Sequence, residues 1–197
     1  MISFILAVIL LIITPGPGVL SVAGVGAAFG ASAGRRYIVG LFLGNNLVSF
    51  IVVTGLAALI LAYPFARFFL MLLSASFLLY LCYKIAFEGV DLAFKKKTVA
   101  PGVVAGIVLQ VLNPKAYAVN AAVYTGFVIY SGNFFFEAAV KFLVYNTIWV
   151  ILHIFWLILG LSIRKLQFNE TTKKVVNIVM ATSLFMVVSL MILSELF

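Results

Sequence analysis

Between Met1 and Ala33 the chain carries no charged residue, and a helix made of that stretch would run about 50 Å at ~1.5 Å per residue. A bilayer's hydrocarbon core is only ~30 Å thick, so the run is too long for one straight span and too apolar for a water-exposed helix. Its middle holds a break, Thr14-Pro15-Gly16-Pro17-Gly18. Proline removes a backbone donor and clashes with the preceding turn, so the helix kinks or unwinds there. A second break, Asn113-Pro114-Lys115-Ala116, interrupts the apolar stretch from Val99 to Tyr130. In hydrocarbon the freed backbone groups are tolerated only where protein or a water-lined cavity satisfies them. Paired broken segments at corresponding places in two halves point to a transporter binding site near the midplane.

The rest of the sequence fits that class. Of 197 residues, 65% are hydrophobic and 9% charged, which excludes a water-soluble domain. The apolar runs are long and continuous, unlike the alternating ten-residue segments of a β-barrel. The expectation is an all-α, polytopic membrane protein of about six transmembrane helices. The spans expected are a broken first one ending near Phe29, then Tyr37 to Tyr63 and Pro64 to Phe87. A broken fourth runs from Val99 to Tyr130, followed by Phe142 to Ile163 and Val175 to Leu193. The opening lacks a basic n-region and exceeds an h-region, so it is read as a retained span, not a signal peptide. Residues 1–197 form one transmembrane domain: a repeat over about 1–88, a basic loop over about 88–98, and a repeat over about 99–197.

Charge sets the orientation. Arg35, Arg36, Lys84, Lys95, Lys96, Lys97, Arg164, Lys165, Lys173 and Lys174 fall after spans one, three and five, while Arg67 and Lys141 fall on the other side. Ten against two is a positive-inside signal, with basic loops in the cytoplasm and both termini outside a cell (inner or plasma) membrane. The net charge of +8 therefore belongs to loops that meet anionic lipid, and nucleic acid is not expected as a partner. Each half holds three spans, an odd number, so the two repeats must be inverted. Pro15 to Asn46 spans 31 positions and Pro114 to Asn146 spans 32, which supports duplication.

Lys115 is the Lys or Arg placed inside a span, and an intramembrane ionisable group is functional by default. It follows Pro114, beside the positive end of a resumed helix, where an anionic group such as a carboxylate suits both. Snorkelling to an interface is the competing reading, strained by the apolar sequence on either side. Pro15, Gly16, Pro17 and Gly18 expose backbone groups toward the same cavity or simply kink the helix, and the Thr14 hydroxyl can cap the resumed helix. Asn45, Asn46 and Asn146 can bind substrate or link helices, two readings of equal weight. His153, the one histidine, can carry a proton or sit as a neutral packed ring beside Trp149 and Trp156. The five acids, Glu88, Asp91, Glu137, Glu170 and Glu195, are all expected in loops or at ends, so no buried carboxylate relay is foreseen.

Other patterns lead nowhere enzymatic. Gly30-Ala31-Ser32-Ala33-Gly34 spells a nucleophile elbow, but without the strand and acid partner that motif needs. No Cys/His cluster with metal-ligand spacing and no phosphate-cradling loop occurs, so neither metal nor cofactor is expected. Cys82, the one cysteine, excludes an internal disulfide and is read as a packing residue. Glycines recur at spacing four in Gly26/Gly30/Gly34, Gly40/Gly44 and Gly102/Gly106, faces that let helices approach within a monomer or build a homodimer.

The chain resembles the lysine exporter (LysE/RhtB) family of amino-acid exporters. The resemblance rests on Thr14-Pro15-Gly16-Pro17-Gly18, Gly34-Arg35-Arg36, and Gly40/Gly44 leading to Gly55-Leu56-Ala57. Leu78-Leu79-Tyr80-Leu81 and Asn113-Pro114-Lys115-Ala116 complete it, in order over nearly the whole chain. It implies a six-span inner-membrane exporter of amino acids or similar small metabolites, driven by the proton or an ion gradient. Family members often carry Asp after the second-span glycine, where this chain has Asn45 and Asn46. An amide neither shuttles a proton nor matches a cationic side chain, so a neutral amino acid is the expected substrate. The alternatives are a channel or transporter for another small anion, lipid or ion, and more remotely a membrane enzyme using Ser32 and His153.

Overall fold

The computed structural model describes residues 1–14, 16–55, 99–130 and 132–165, with isolated helical positions between 72 and 86 and between 171 and 189. The expected third and sixth spans are represented only by those isolated positions. Pro15, Arg67 and the basic loop 88–98 lie outside the described residues.

Among the described residues the secondary structure is entirely helical. Helix α1 (Ile2–Ile13) buries Phe4, Val8 and Ile12, one face at spacing four. It ends at Thr14, whose ψ of 124° is extended, as expected of a residue before proline. Helix α2 (Pro17–Phe29) resumes with proline at its first turn, where the missing N–H is no loss, and its axis is bent 53° from α1. Nearly every residue of α2 is buried, so it is the central element of the described bundle. Helix α3 (Ala31–Val53) follows after Gly30 alone, and the φ of 85° at Gly30 supplies a reversal that a side chain would resist. In the second half, α4 (Val103–Leu112) stops at Asn113, again extended before a proline, and α5 (Pro114–Thr125) resumes at once. Helix α6 (Phe134–Lys165) closes the set. Both halves thus present a proline-broken pair followed by one long helix.

Helices α3 and α6 are each long and apolar enough to cross a membrane, and the bent α1–α2 pair makes a third such unit. Their outer faces match that reading. On α3, Val39, Leu43, Leu47 and Phe50 are exposed along one stripe, and on α6 Leu143, Ile151, Ile154 and Ile158 do the same. The halves pack across one another, α3 on α4 and α2 on α6.

Three expectations change. Helix α3 begins at Ala31 instead of Tyr37, because the Gly30 turn needs no loop, so exposed Arg35 and Arg36 sit on its second turn. Helix α6 begins at Phe134 instead of Phe142, and Glu137 and Lys141, expected in a loop, lie on it as an i,i+4 ion pair at 3.1 Å. Lys141 is 4% exposed, so Lys115 is not alone as a lysine inside a helix. Its ammonium donates to the Tyr124 carbonyl at 3.0 Å and to the Phe127 carbonyl, capping the end of α5, which explains why a charge is tolerated there. Of the two uses open to the spaced glycines, close approach within the monomer is seen at Gly26, Gly34, Gly40, Gly44 and Gly106, whereas nothing lies within 4 Å of a Cβ on Gly102. A Cβ on Gly106 would lie 2.5 Å from the Tyr37 carbonyl oxygen and 2.6 Å from the Leu41 nitrogen, and Gly40 and Gly44 meet α4 as closely. Gly26 and Gly160 do the same between α2 and α6.

Candidate functional site

The two breaks, a hundred residues apart in sequence, meet in space. Lys115 Nζ donates to the Thr14 carbonyl oxygen at 2.6 Å. That oxygen is one of the carbonyls that α1 leaves without an intrahelical partner, and the end of a helix dipole favours a cation there. The lysine stem passes over Gly16, where a Cβ would come within 2.9 Å of its Cδ and 3.0 Å of its Nζ. Gly16 is extended, with φ −167°, so glycine is needed there for space and not for backbone conformation. Asn113 fixes the second break from below: its side-chain oxygen accepts from the Lys115 amide at 3.1 Å, an N-cap on α5.

Around this junction lies a small cavity, open on one side. Gly16, Gly18, Gln110, Asn113 and Lys115 meet it from the breaks, and Tyr145, Trp149 and His153 from α6. Leu11, Ile12, Val19, Ala116 and Val119 make the apolar wall. Helix geometry leaves the Gly18 and Val19 N–H groups, in the first turn of α2, without intrahelical acceptors. With Lys115 they form a donor-rich end suited to an anion.

Behind the cavity runs a buried polar network. Asn45 Oδ1 accepts from Tyr145 OH at 3.0 Å, Gln110 Nε2 at 3.2 Å and Asn120 Nδ2 at 3.3 Å. Asn120 also donates to the Ala116 carbonyl at 2.8 Å and accepts from the Ser49 hydroxyl. Helices α3, α4, α5 and α6 are thereby tied at one point.

The sequence-derived site residues divide accordingly. Gly16, Gly18, Asn113 and Lys115 line the cavity, and Asn45 lies one hydrogen bond behind it. Thr14 contributes its carbonyl, but its hydroxyl donates to Leu10 at 2.6 Å and does not cap α2, because the extended Gly16 stands between it and the helix. Pro17 is buried in the first turn of α2, and Pro114 starts α5. Pro15 lies outside the described residues. Asn46 and Asn146 stand apart from the cavity and behave alike, each donating to the carbonyl four residues back, Phe42 at 2.8 Å and Phe142 at 3.0 Å. His153 is buried, stacked on Trp149 with ring centroids 3.4 Å apart, and bonded through Nδ1 to the Trp149 carbonyl at 2.8 Å. Its other nitrogen is turned toward Gly18. Ser32 is exposed on the first turn of α3, on a different element from buried His153.

Gln110, Asn120, Ser49 and Tyr145 were not foreseen from the sequence. The available signal was the amide: a Gln within ten apolar residues and an Asn on the helix after Pro114. Among the described residues no group of three or more His, Cys, Asp or Glu side chains could hold a metal.

A model of the LysE type translocator family matches residues 9–195, nearly the whole chain. The chain belongs to the LysE type translocator family. Membership agrees with the apolar helices and makes this translocator a membrane transporter. Neither the curated proteins nor the solved structures provide a match to it.

Proposed function

We propose that this translocator exports amino acids or closely related small metabolites from the cytoplasm by secondary, alternating-access transport. The observation that carries the reading is the meeting of the two helix breaks at Lys115, whose ammonium reaches from one break to the other beside a cavity. The substrate carboxylate replaces the Thr14 carbonyl as the partner of Lys115 Nζ and takes the free amides at the start of α2. The substrate's entry thereby unties one break from the other, coupling occupancy to movement of the half-helices. In this reading the chain is one domain of six spans, the repeats over about 1–88 and 99–197 being inverted and rocking about the fixed site. It resides in the cell (inner or plasma) membrane with both termini outside.

The test is counterflow in liposomes preloaded with a panel of unlabelled amino acids. Saturable uptake of labelled counterparts that is lost in Lys115→Ala supports the reading. Undiminished exchange in that variant, or no exchange of any amino acid by folded protein, sinks it.

A further inference from the structure

The donors in the cavity account for a carboxylate, and two acceptors in the same cavity remain to be explained. Gln110 is 4% exposed; its Nε2 is engaged with Asn45, while its Oε1 has no hydrogen-bond partner. Buried polar atoms are rarely left so, because the desolvation is not recovered. His153 is 3% exposed, and the Trp149 carbonyl beside its Nδ1 can only accept. Nδ1 therefore carries a proton, and in the neutral imidazole Nε2 is an acceptor. Both acceptors face one gap: a Cβ on Gly18 would lie 3.6 Å from Gln110 Oε1 and 3.5 Å from His153 Nε2. That gap adjoins the first amides of α2, so acceptors and donors stand side by side. An α-amino acid has the same arrangement, with ammonium and carboxylate on a single carbon.

Resting on the export reading, we infer that Gln110 Oε1 and His153 Nε2 receive the substrate's ammonium group, so that the cavity selects α-amino acids with apolar side chains. Both acceptors are uncharged, and no carboxylate lines the cavity among the described residues. A cationic side chain finds no counter-charge there, whereas Leu11, Ile12, Val19, Ala116 and Val119 receive an aliphatic one. Gly18 is part of the device, because a methyl at that position would occupy the gap the ammonium enters.

The test is competition in proteoliposomes that exchange a labelled amino acid, with leucine, lysine and 4-methylpentanoate as competitors, the last being leucine's skeleton without its amine. Leucine is expected to compete about 10- to 100-fold better than 4-methylpentanoate, the range for hydrogen bonds to a charged group. The ratio should shrink toward one in Gln110→Met and in His153→Phe, which keeps a ring against Trp149 but removes the acceptor. Gln110→Glu, which restores an acceptor, should keep the preference. Either of the two acceptor-deleting variants suffices if the other fails to fold. The inference is overturned if the wild-type protein ignores the amine, if lysine outcompetes leucine, or if both deletions retain the full ratio. Those results leave the export reading standing, whereas the absence of exchange for every amino acid removes that reading itself.

Discussion

Asn45 is the residue whose replacement should reveal most about how the core is held. Its Oδ1 accepts from three buried donors on three other helices, while its Nδ2 has no partner. In Asn45→Leu the shared acceptor vanishes. Asn120 Nδ2 keeps the Ala116 carbonyl, but Gln110 Nε2 and the Tyr145 hydroxyl lose the acceptor they share. An unsatisfied buried donor costs about 1–3 kcal/mol; two are created and removing the orphaned Asn45 amide returns one such term, so the net loss should be about 2 kcal/mol. Asn45→Asp, as the neutral acid, keeps an acceptor for all three donors and leaves one unpaired group where Nδ2 was, so it should be less destabilising than leucine. Chemical denaturation of purified protein in detergent, read by tryptophan fluorescence, measures both; Trp149 shares the α6 face with Tyr145. A leucine variant as stable as the wild type, or an aspartate variant less stable than leucine, would refute the reasoning.

Three further outcomes follow from close contacts. Gly16→Ala should drive the lysine stem away from Thr14 and depress transport as far as Lys115→Ala does; because a flexible side chain yields, the thermal midpoint should hardly move, which a melt beside a counterflow assay tests. Gly106→Ala meets the backbone of Tyr37 and Leu41, which cannot yield, so α3 and α4 must separate at a cost of about 1–3 kcal/mol, seen as a lower melting temperature. Lys141→Met should strip the Tyr124 and Phe127 carbonyls of their donor and leave Glu137 with the Ile129 amide but without its ion pair, costing about 2 kcal/mol. Faster hydrogen exchange near the end of α5 reports that loss.

Much of this architecture was legible because proline acts locally. Pro114 alone dictates the extended Asn113, and the run to Ala33 demands a break whatever surrounds it. The same locality made Lys115 stand out, since its cost inside an apolar run does not depend on its partner. What escaped depends on distance. The partner of Lys115 is a backbone carbonyl at Thr14, and no residue type announces which carbonyl is free. Lys141 looked like a loop residue because its neutraliser Glu137 and the carbonyls it caps are set by how α5 ends against α6. Asn46 and Asn146, matched by spacing, proved to share a modest task, each bonding within its own helix. Asn45, one position earlier, turns inward because a one-residue step on a helix rotates the side chain by about 100°. The family match over residues 9–195 agrees with the resemblance carried by the two proline motifs.

The central claim is that substrate takes the place beside Lys115 where the two breaks meet. Its most direct test is alkylation of Ala116→Cys, which lines the cavity beside an intact Lys115, in a Cys82→Ala background, with labelling rates compared in the presence and absence of a transported amino acid. A cysteine introduced at exposed Thr147 serves as the reference. The account predicts that saturating amino acid slows labelling at position 116 and leaves position 147 unaffected. Equal labelling at 116 with and without a substrate that the variant demonstrably transports would contradict it.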